Sequence, residues 1–224
     1  MRDRLTDHRA KDMAMPFPDS IALGPGLAIQ GSRMRFARNA EIFGEGEKAD
    51  YVYRVLSGAV RTIRFTTDGR RQILGFHLPG DIFGLETEDM HSLTAEALAD
   101  TEVALIRRSL IDRAAAESPL AAQALLKLVA QQLHTAQEHA LVLGRKGAGE
   151  RVAAFLIQLG ERFASCREID LPMSRADIAD YLALTIETVS RAFTQMEREH
   201  AIALPSSRHV VVRDLAALEY LQAA

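Results

Sequence analysis

The chain has 224 residues, enough for two modest domains, and its 48% hydrophobic content is ordinary for a globular protein. With 27 basic against 30 acidic side chains the net charge is −3, so the chain is not a general polycation, and any nucleic-acid site must come from local placement of Arg and Lys. The single cysteine, Cys166, excludes an internal disulfide framework and a cysteine-only metal cage, and no apolar run approaches the ~18–20 residues that span a bilayer. The N-terminus lacks the n-region and h-region of a signal peptide, so the cytoplasm is the expected location and no membrane partner is expected.

Residues 1–20 carry mixed charge and two prolines, Pro16 and Pro18, without apolar periodicity, and read as a mobile arm. From about Leu27 to Leu105 short apolar runs such as Tyr51 to Leu56, Ala59 to Phe65 and Arg71 to Phe76 are punctuated by Gly44, Gly46, Gly58, Gly69, Gly75, Gly80 and Gly84. Turn signals at this spacing predict an all-β barrel or roll over residues 21–117, with Asp68-Gly69 as the turn of a hairpin.

Pro119 opens a long helix, expected over residues 118–144. Leu126, Val129, Leu133, Ala136, Ala140 and Leu143 recur three and four apart, an a/d seam across nearly three heptads that calls for a partner helix. Leu125 and Leu128 lie on the other side, so the helix can pack on its own β domain and on a second copy at once. A parallel homodimer is the reading. Gly144, Gly147 and Gly149 then mark a hinge into a second domain, residues 145–224, whose first helix carries Val152, Phe155, Leu156, Leu159 and Phe163 on one face.

The segment Met173 to His200 reads as two helices joined by a tight turn. Ser174 and Asp177 form a capping-box-like start, with Met173 and Ile178 placed as a hydrophobic staple. The turn falls at Ala183 to Thr185, and Thr185 caps a second helix that turns Val189, Ala192, Phe193 and Met196 inward. Glu187, Ser190 and Arg191 share its other side. In a helix entering the major groove, an Arg can contact guanine bidentately, a carboxylate can accept from a base amino group and a Ser can meet either kind of edge. Taken by itself, the Glu187/Arg191 pair is equally readable as a surface salt bridge worth ~0.3–0.5 kcal/mol. Ile202 to Leu204 and Val210 to Val212 then flank Pro205-Ser206-Ser207-Arg208-His209 as a winged hairpin whose tip can touch phosphate.

At these residues the chain resembles a known family. Leu182 to Phe193, LALTIETVSRAF, is similar to the recognition segment of the CRP/FNR superfamily of bacterial transcription regulators, and Glu187 to Arg191, ETVSR, resembles its FNR and FixK branch. Ser57-Gly58-Ala59-Val60, Asp68-Gly69-Arg70-Arg71 and Leu78 to Gly84 resemble the superfamily's cyclic-nucleotide-binding roll. The resemblance implies an α+β architecture: a cyclic-nucleotide-binding-like β-roll, a long dimerisation helix and a C-terminal winged helix-turn-helix. It implies a homodimeric activator of low-oxygen or nitrogen-oxide-related genes that works with RNA polymerase, with Glu187, Ser190 and Arg191 reading bases of a TTGA-N6-TCAA palindrome and Arg175, Thr185, Thr188, Ser207 and Arg208 touching phosphate. Where the family usually has Gly in the turn this chain has Ala183, which would be strained by ~1 kcal/mol at positive φ.

The same resemblance bears on effectors. In FNR the N-terminal arm supplies most cysteines of an iron–sulfur cluster; residues 1–20 have none, so no cluster is expected. In cAMP-binding relatives an Arg-Ser or Arg-Thr pair holds the cyclic phosphate and a Glu the ribose. Here Glu86 is matched but His91-Ser92 stands in place of Arg-Ser, a degenerate effector pocket in which cAMP is not expected because imidazole lacks the permanent charge of a guanidinium. Five of the histidines, His77, His91, His134, His139 and His209, have no ligand spacing, so haem, used by some nitric-oxide-sensing relatives of the Dnr type, has no motif behind it, and no metal site is expected. Cys166 lies beside Arg167, where oxidation near the DNA-reading helix would act as a redox switch, as against an inert loop thiol. Rival readings are the haem-dependent sensor and a non-DNA regulatory module acting on a partner protein. No catalytic constellation has a spacing above chance, so an enzyme is not expected.

Overall fold

The computed structural model describes residues 19–23, 28–145, 147–163 and 167–223. The expected N-terminal arm falls almost wholly outside them, as does Cys166.

The N-terminal half is a β-roll made of β1 (Ser20–Ala22), β2 (Ala28–Gln30), β3 (Ser32–Phe36), β4 (Glu41–Phe43), β5 (Tyr51–Ser57), β6 (Val60–Phe65), β7 (Arg71–His77), β8 (Ile82–Phe83), β9 (Thr94–Ala97) and β10 (Thr101–Arg107). Two four-stranded antiparallel sheets, ordered β3-β10-β5-β8 and β4-β9-β6-β7, enclose its interior. Alternation along β5 and β10 sends Val52, Ala104 and Ile106 to one face, in a cluster with Ile21 and Ile111, and Tyr53, Val55 and Val103 to the other, in a cluster with Phe43 and Phe83. Gly58, at φ +82, turns β5 into β6 where an added Cβ would lie 2.6 Å from the Asp100 carbonyl, so the position requires glycine. The β6–β7 hairpin closes at the expected Asp68-Gly69, with the Thr66 amide donating to the Arg70 carbonyl at 2.9 Å.

Two helices leave the roll. α1 (Arg108–Glu117) and α2 (Pro119–Arg145) are parted by Ser118, held extended at φ −133 ahead of a proline that then occupies the first helical position of α2. One side of α2 packs on the roll through Ala121 and Leu125, in a cluster with Ile21, Ala104, Ile106 and Ile111.

The C-terminal half contains α3 (Ala148–Gly160), β11 (Glu168–Asp170), α4 (Arg175–Leu182), α5 (Ile186–Arg198), β12 (Ile202–Ala203), β13 (His209–Val212) and α6 (Leu215–Ala223). Its core joins Val152, Leu156 and Leu159 of α3 to Ile178 and Leu182 of α4 and to Val189, Phe193 and Met196 of α5, each fully buried Leu, Ile or Phe contributing ~1.5–3 kcal/mol. The wing is a three-stranded sheet, β11-β13-β12, one strand more than the two read from the sequence, and Leu218 of α6 closes the core beneath it. Ala59, Leu78 and Leu98 of the roll belong to the same apolar cluster, so the two halves are packed together. No helix of the described residues is long and apolar enough to cross a membrane.

Candidate DNA-reading interface

The helix-turn-helix is built by local capping. The Ser174 hydroxyl accepts from the Asp177 amide at 3.1 Å while the Asp177 carboxylate accepts from the Ser174 amide at 2.9 Å, the reciprocal capping box expected from the sequence, and Met173 and Ile178 are both buried at the cap. α4 ends at Ala183, whose φ of 51 and ψ of 49 place it in the left-handed region. The left-handed turn that favours glycine is therefore formed here at an alanine. Thr185 caps α5 by accepting from the Thr188 amide at 3.2 Å.

This arrangement buries Val189, Phe193 and Met196 and leaves Glu187, Ser190 and Arg191 exposed along one side of α5. Among the described residues Glu187 and Arg191 form no ion pair within 4 Å, so neither side chain is tied up by the other. Backbone and Thr185 hydrogen bonds hold the Glu187 carboxyl below its ordinary value, so it is an anion able to accept from a base amino group. The Ser190 hydroxyl donates to the Ile186 carbonyl at 2.8 Å, which leaves its lone pairs as acceptors. Thr185, Ser207 and Arg208 are exposed at the start of α5 and at the wing tip, and Thr188 is half-buried against the Thr185 hydroxyl at 3.0 Å.

Arg175 departs from the expected phosphate-contacting set. Its guanidinium lies 3.2 Å from the centre of the Phe193 ring, one amino nitrogen is buried without an acceptor, and burial pushes its pKa down to about 10. A side chain committed in this way packs α4 onto α5 instead of reaching out to a phosphate.

The seam residues of α2 are for the most part not covered by the chain itself. Leu126, Val129 and Leu133 are 68%, 47% and 58% exposed, Ala136 and Ala140 are exposed, and Leu143 is half-buried. They run as an apolar stripe along the side of α2 turned away from the roll.

In the roll, the residues matched to an effector pocket are engaged with one another. Glu86 accepts from the Ser92 amide at 3.2 Å and from its hydroxyl at 3.0 Å. His91 is buried, stacked on Phe43 with 3.6 Å between ring centres, and burial lowers its pKa, leaving a neutral ring in the core where a phosphate-binding pocket would need a cation. These residues do not fit a cyclic phosphate. The other histidines disperse: His77 lies 3.2 Å from the Thr62 hydroxyl, His139 stacks on Tyr181, His209 pairs with Asp170 at 2.7 Å and His134 is exposed.

One cluster was not visible in the sequence. Asp177, 4% exposed, meets Arg61 of β6 at 2.8 Å and Arg71 of β7 at 2.9 Å, while Arg71 also meets Asp180 at 2.6 Å and Arg61 meets Glu96 at 2.5 Å. Burial alone would push the Asp177 carboxyl up; the Ser174 hydrogen bonds and the two guanidiniums outweigh it and hold the pKa below the usual carboxylate range. The only local signal was the capping box, and the cationic partners are 106 and 116 residues away along the chain.

Comparison with known proteins agrees with this geometry. Residues 33–118 match the model of the cyclic nucleotide-binding domain and residues 150–221 that of the Crp-like helix-turn-helix domain. The chain is 47% identical over 200 residues to the nitrogen fixation regulation protein FixK of Azorhizobium caulinodans, covering 87% of this chain and 81% of that one. It is 43% identical over 210 residues to FixK of Rhizobium meliloti, covering 91% and 95%. The structure of FixK2 from Bradyrhizobium japonicum superposes with a TM-score of 0.84 at 46% identity, over 87% of this chain and 98% of that one. With a roll and a helix-turn-helix that each match their family model, and relatives this similar over most of their length, the chain belongs to the CRP/FNR family of transcription regulators, in its FixK-like branch.

Proposed function

We propose that the protein is a homodimeric, sequence-specific DNA-binding activator that reads TTGA-N6-TCAA palindromes and needs no small-molecule effector. The observation that carries this is the exposed Glu187, Ser190 and Arg191 face of α5, mounted outward by a capped helix-turn-helix. The exposed stripe of α2 supports the dimer, because an apolar seam of this length finds its partner in a second copy of the same helix. Two-fold pairing fits the palindrome: the centres of TTGA and TCAA lie about 10 base pairs apart, one turn of DNA, as paired recognition helices require. Independence from cyclic nucleotide is supported by the Glu86–Ser92 contact and the buried His91. By analogy with the FixK relatives, the target genes are those of nitrogen fixation and low-oxygen metabolism, transcribed in the cytoplasm with RNA polymerase, without catalysis by this chain and without haem or an iron–sulfur cluster.

The test is fluorescence anisotropy of purified, reduced, cofactor-free protein with the palindromic duplex against a scrambled one at fixed salt. Tight binding that prefers the palindrome is expected. Binding without preference, or binding that appears only after cAMP or haem is added, would overturn the reading.

A further inference from the structure

α4 touches no base in this reading, yet it is anchored from three directions. The β6–β7 hairpin supplies Arg61 and Arg71 to Asp177, Arg71 to Asp180, and the Gln72 amide, which donates to the Asp180 carbonyl at 2.7 Å. α2 supplies His139, whose ring stacks on Tyr181 at 3.9 Å and 6° and whose Nε2 lies 3.0 Å from the Tyr181 carbonyl. α3 supplies Arg151, which donates to the Leu182 carbonyl at 3.0 Å. Three successive carbonyls at the C-terminal end of α4, which the helix itself leaves open, are therefore each taken by a different element.

The covalent connection does not impose the same restraint. Between α2 and α3 stand only Lys146 and Gly147; a Cβ added at Gly144 or Gly149 would meet nothing within 4 Å, and one at Gly147 would meet only the Glu150 carboxylate of α3, at 3.1 Å. The attitude of the DNA-binding half is set by non-covalent contacts, those on α4 together with the Arg162–Asp81 ion pair and the packing of Ala59, Leu78 and Leu98 into the C-terminal core. Because α2 carries the stripe that pairs the two copies, whatever fixes α4 against α2 and the roll also fixes the distance and angle between the two recognition helices.

We propose that Arg71, Gln72, Asp180 and His139 are positioning residues for half-site spacing: by clamping α4 they set which separation of TTGA half-sites the dimer accepts. This rests on the function proposed above. Adding or removing one base pair moves a half-site by about 3.4 Å along the axis and turns it by about a tenth of a turn, a mismatch that a rigid mount cannot follow and a loosened one can.

The experiment measures full-length wild type, Arg71→Ala, Gln72→Ala and Arg71→Lys by anisotropy against duplexes carrying TTGA and TCAA separated by five, six or seven base pairs, with a scrambled duplex as reference and thermal unfolding recorded on each preparation. Wild type is expected to prefer the six-base-pair spacer by about tenfold or more, the equivalent of losing one good base contact. Arg71→Ala and Gln72→Ala are expected to bring the three affinities to within about threefold of one another while still preferring them to the scrambled duplex, and Arg71→Lys to recover part of the discrimination. Gln72→Ala removes no charge, only the hydrogen bonds of a half-buried amide to the Ile73 and Asp180 carbonyls, so it reports even if Arg71→Ala folds poorly. Equal loss of affinity at all three spacings, or an unchanged spacing preference, would overturn the inference and leave the clamp with a structural role. A wild type that binds the palindrome but ignores spacing would overturn it too. A wild type indifferent between palindrome and scrambled duplex would overturn the function on which it rests.

Discussion

Two helices of this protein face outward with opposite chemistry. α5 follows the rule for a surface helix: Val189, Phe193 and Met196 are buried and Glu187, Ser190 and Arg191 are exposed. α2 breaks it, leaving Leu126, Val129 and Leu133 in the open. An exposed polar face, with acceptor lone pairs left on Glu187 and Ser190 and with Arg191 in no ion pair among the described residues, suits the edges of bases, whereas an apolar stripe suits another protein helix. The contrast shows that exposure alone identifies neither site; what distinguishes them is whether the exposed atoms lose more from water or from its absence.

The largest effect is expected from contaminating the apolar face with the chemistry of the polar one. Leu133→Glu places a charge in the middle of the stripe at a site 58% exposed within one chain, so the fold of the subunit should be unaffected while self-association fails. Sedimentation velocity should show a monomer, and palindrome affinity should fall by roughly 10²–10⁴-fold as the two half-sites stop binding as a unit. A variant that stays dimeric would show that the stripe is covered by something else.

The second prediction concerns the mount beneath the polar face. Asp177→Asn keeps the capping geometry within reach but removes the charge that faces Arg61 and Arg71. Arg61 retains Glu96 and Arg71 retains Asp180, so the loss at neutral pH should lie toward the lower end of the ~3–5 kcal/mol typical of breaking a buried pair. The sign with pH is fixed by the direction of the shift. The folded carboxyl has a lowered pKa, so its contribution is fully present above the unfolded value, near 3.9, and is lost as pH falls through the folded value. Denaturant unfolding should therefore show the gap between wild type and Asp177→Asn closing as pH drops below about 4. A gap that stays constant in acid would mean that Asp177 stabilises through shape and not through charge.

The two outward faces were legible in the sequence, and the mount was not, for a physical reason. Amphipathic periodicity and capping are relations among residues three or four apart, so Ser174, Asp177, Thr185 and the alternating apolar positions of α2 and α5 announce themselves locally. The hairpin at Asp68-Gly69 is local in the same way. Ion pairs between Asp177 and arginines more than a hundred residues earlier follow from how the roll docks, which no periodicity encodes. For two residues the sequence carried the neighbourhood but no orientation. Arg175 sits where a helix start can meet phosphate, but the ring of Phe193 one helix away offers a closer surface; His91 aligns with a pocket position, but Phe43 stacks it into the core. β11 and α6 carry too few periodic residues to stand out.

A third, smaller effect separates reading from holding on. Arg191→Ala should cost ~1–3 kcal/mol of palindrome affinity and relax preference for the guanine of the half-site, because the side chain makes no competing ion pair among the described residues. Arg208→Ala, at the exposed wing tip, should weaken palindrome and scrambled duplexes alike and reduce the salt slope by about one. If the two variants behave identically in competition assays, α5 is not the reader.

The smallest expected effect tests the turn that joins mount and reader. Ala183 is exposed and left-handed, and its amide donates to the Ala179 carbonyl, so nothing about its side chain contributes to packing while its Cβ crowds the backbone. Ala183→Gly relieves ~1–2 kcal/mol of left-handed strain but gives the unfolded chain more freedom, worth ~0.4–1 kcal/mol in the other direction. The net should be a gain of somewhat under about 1 kcal/mol in chemical denaturation, with DNA affinity and spacing preference unchanged, since the Thr185 cap and the clamp on α4 fix the same geometry with either residue. If Ala183→Gly instead blunts spacing preference, rigidity of the turn itself sets the attitude of α5, and the roll's hold on α4 matters less than its contacts suggest.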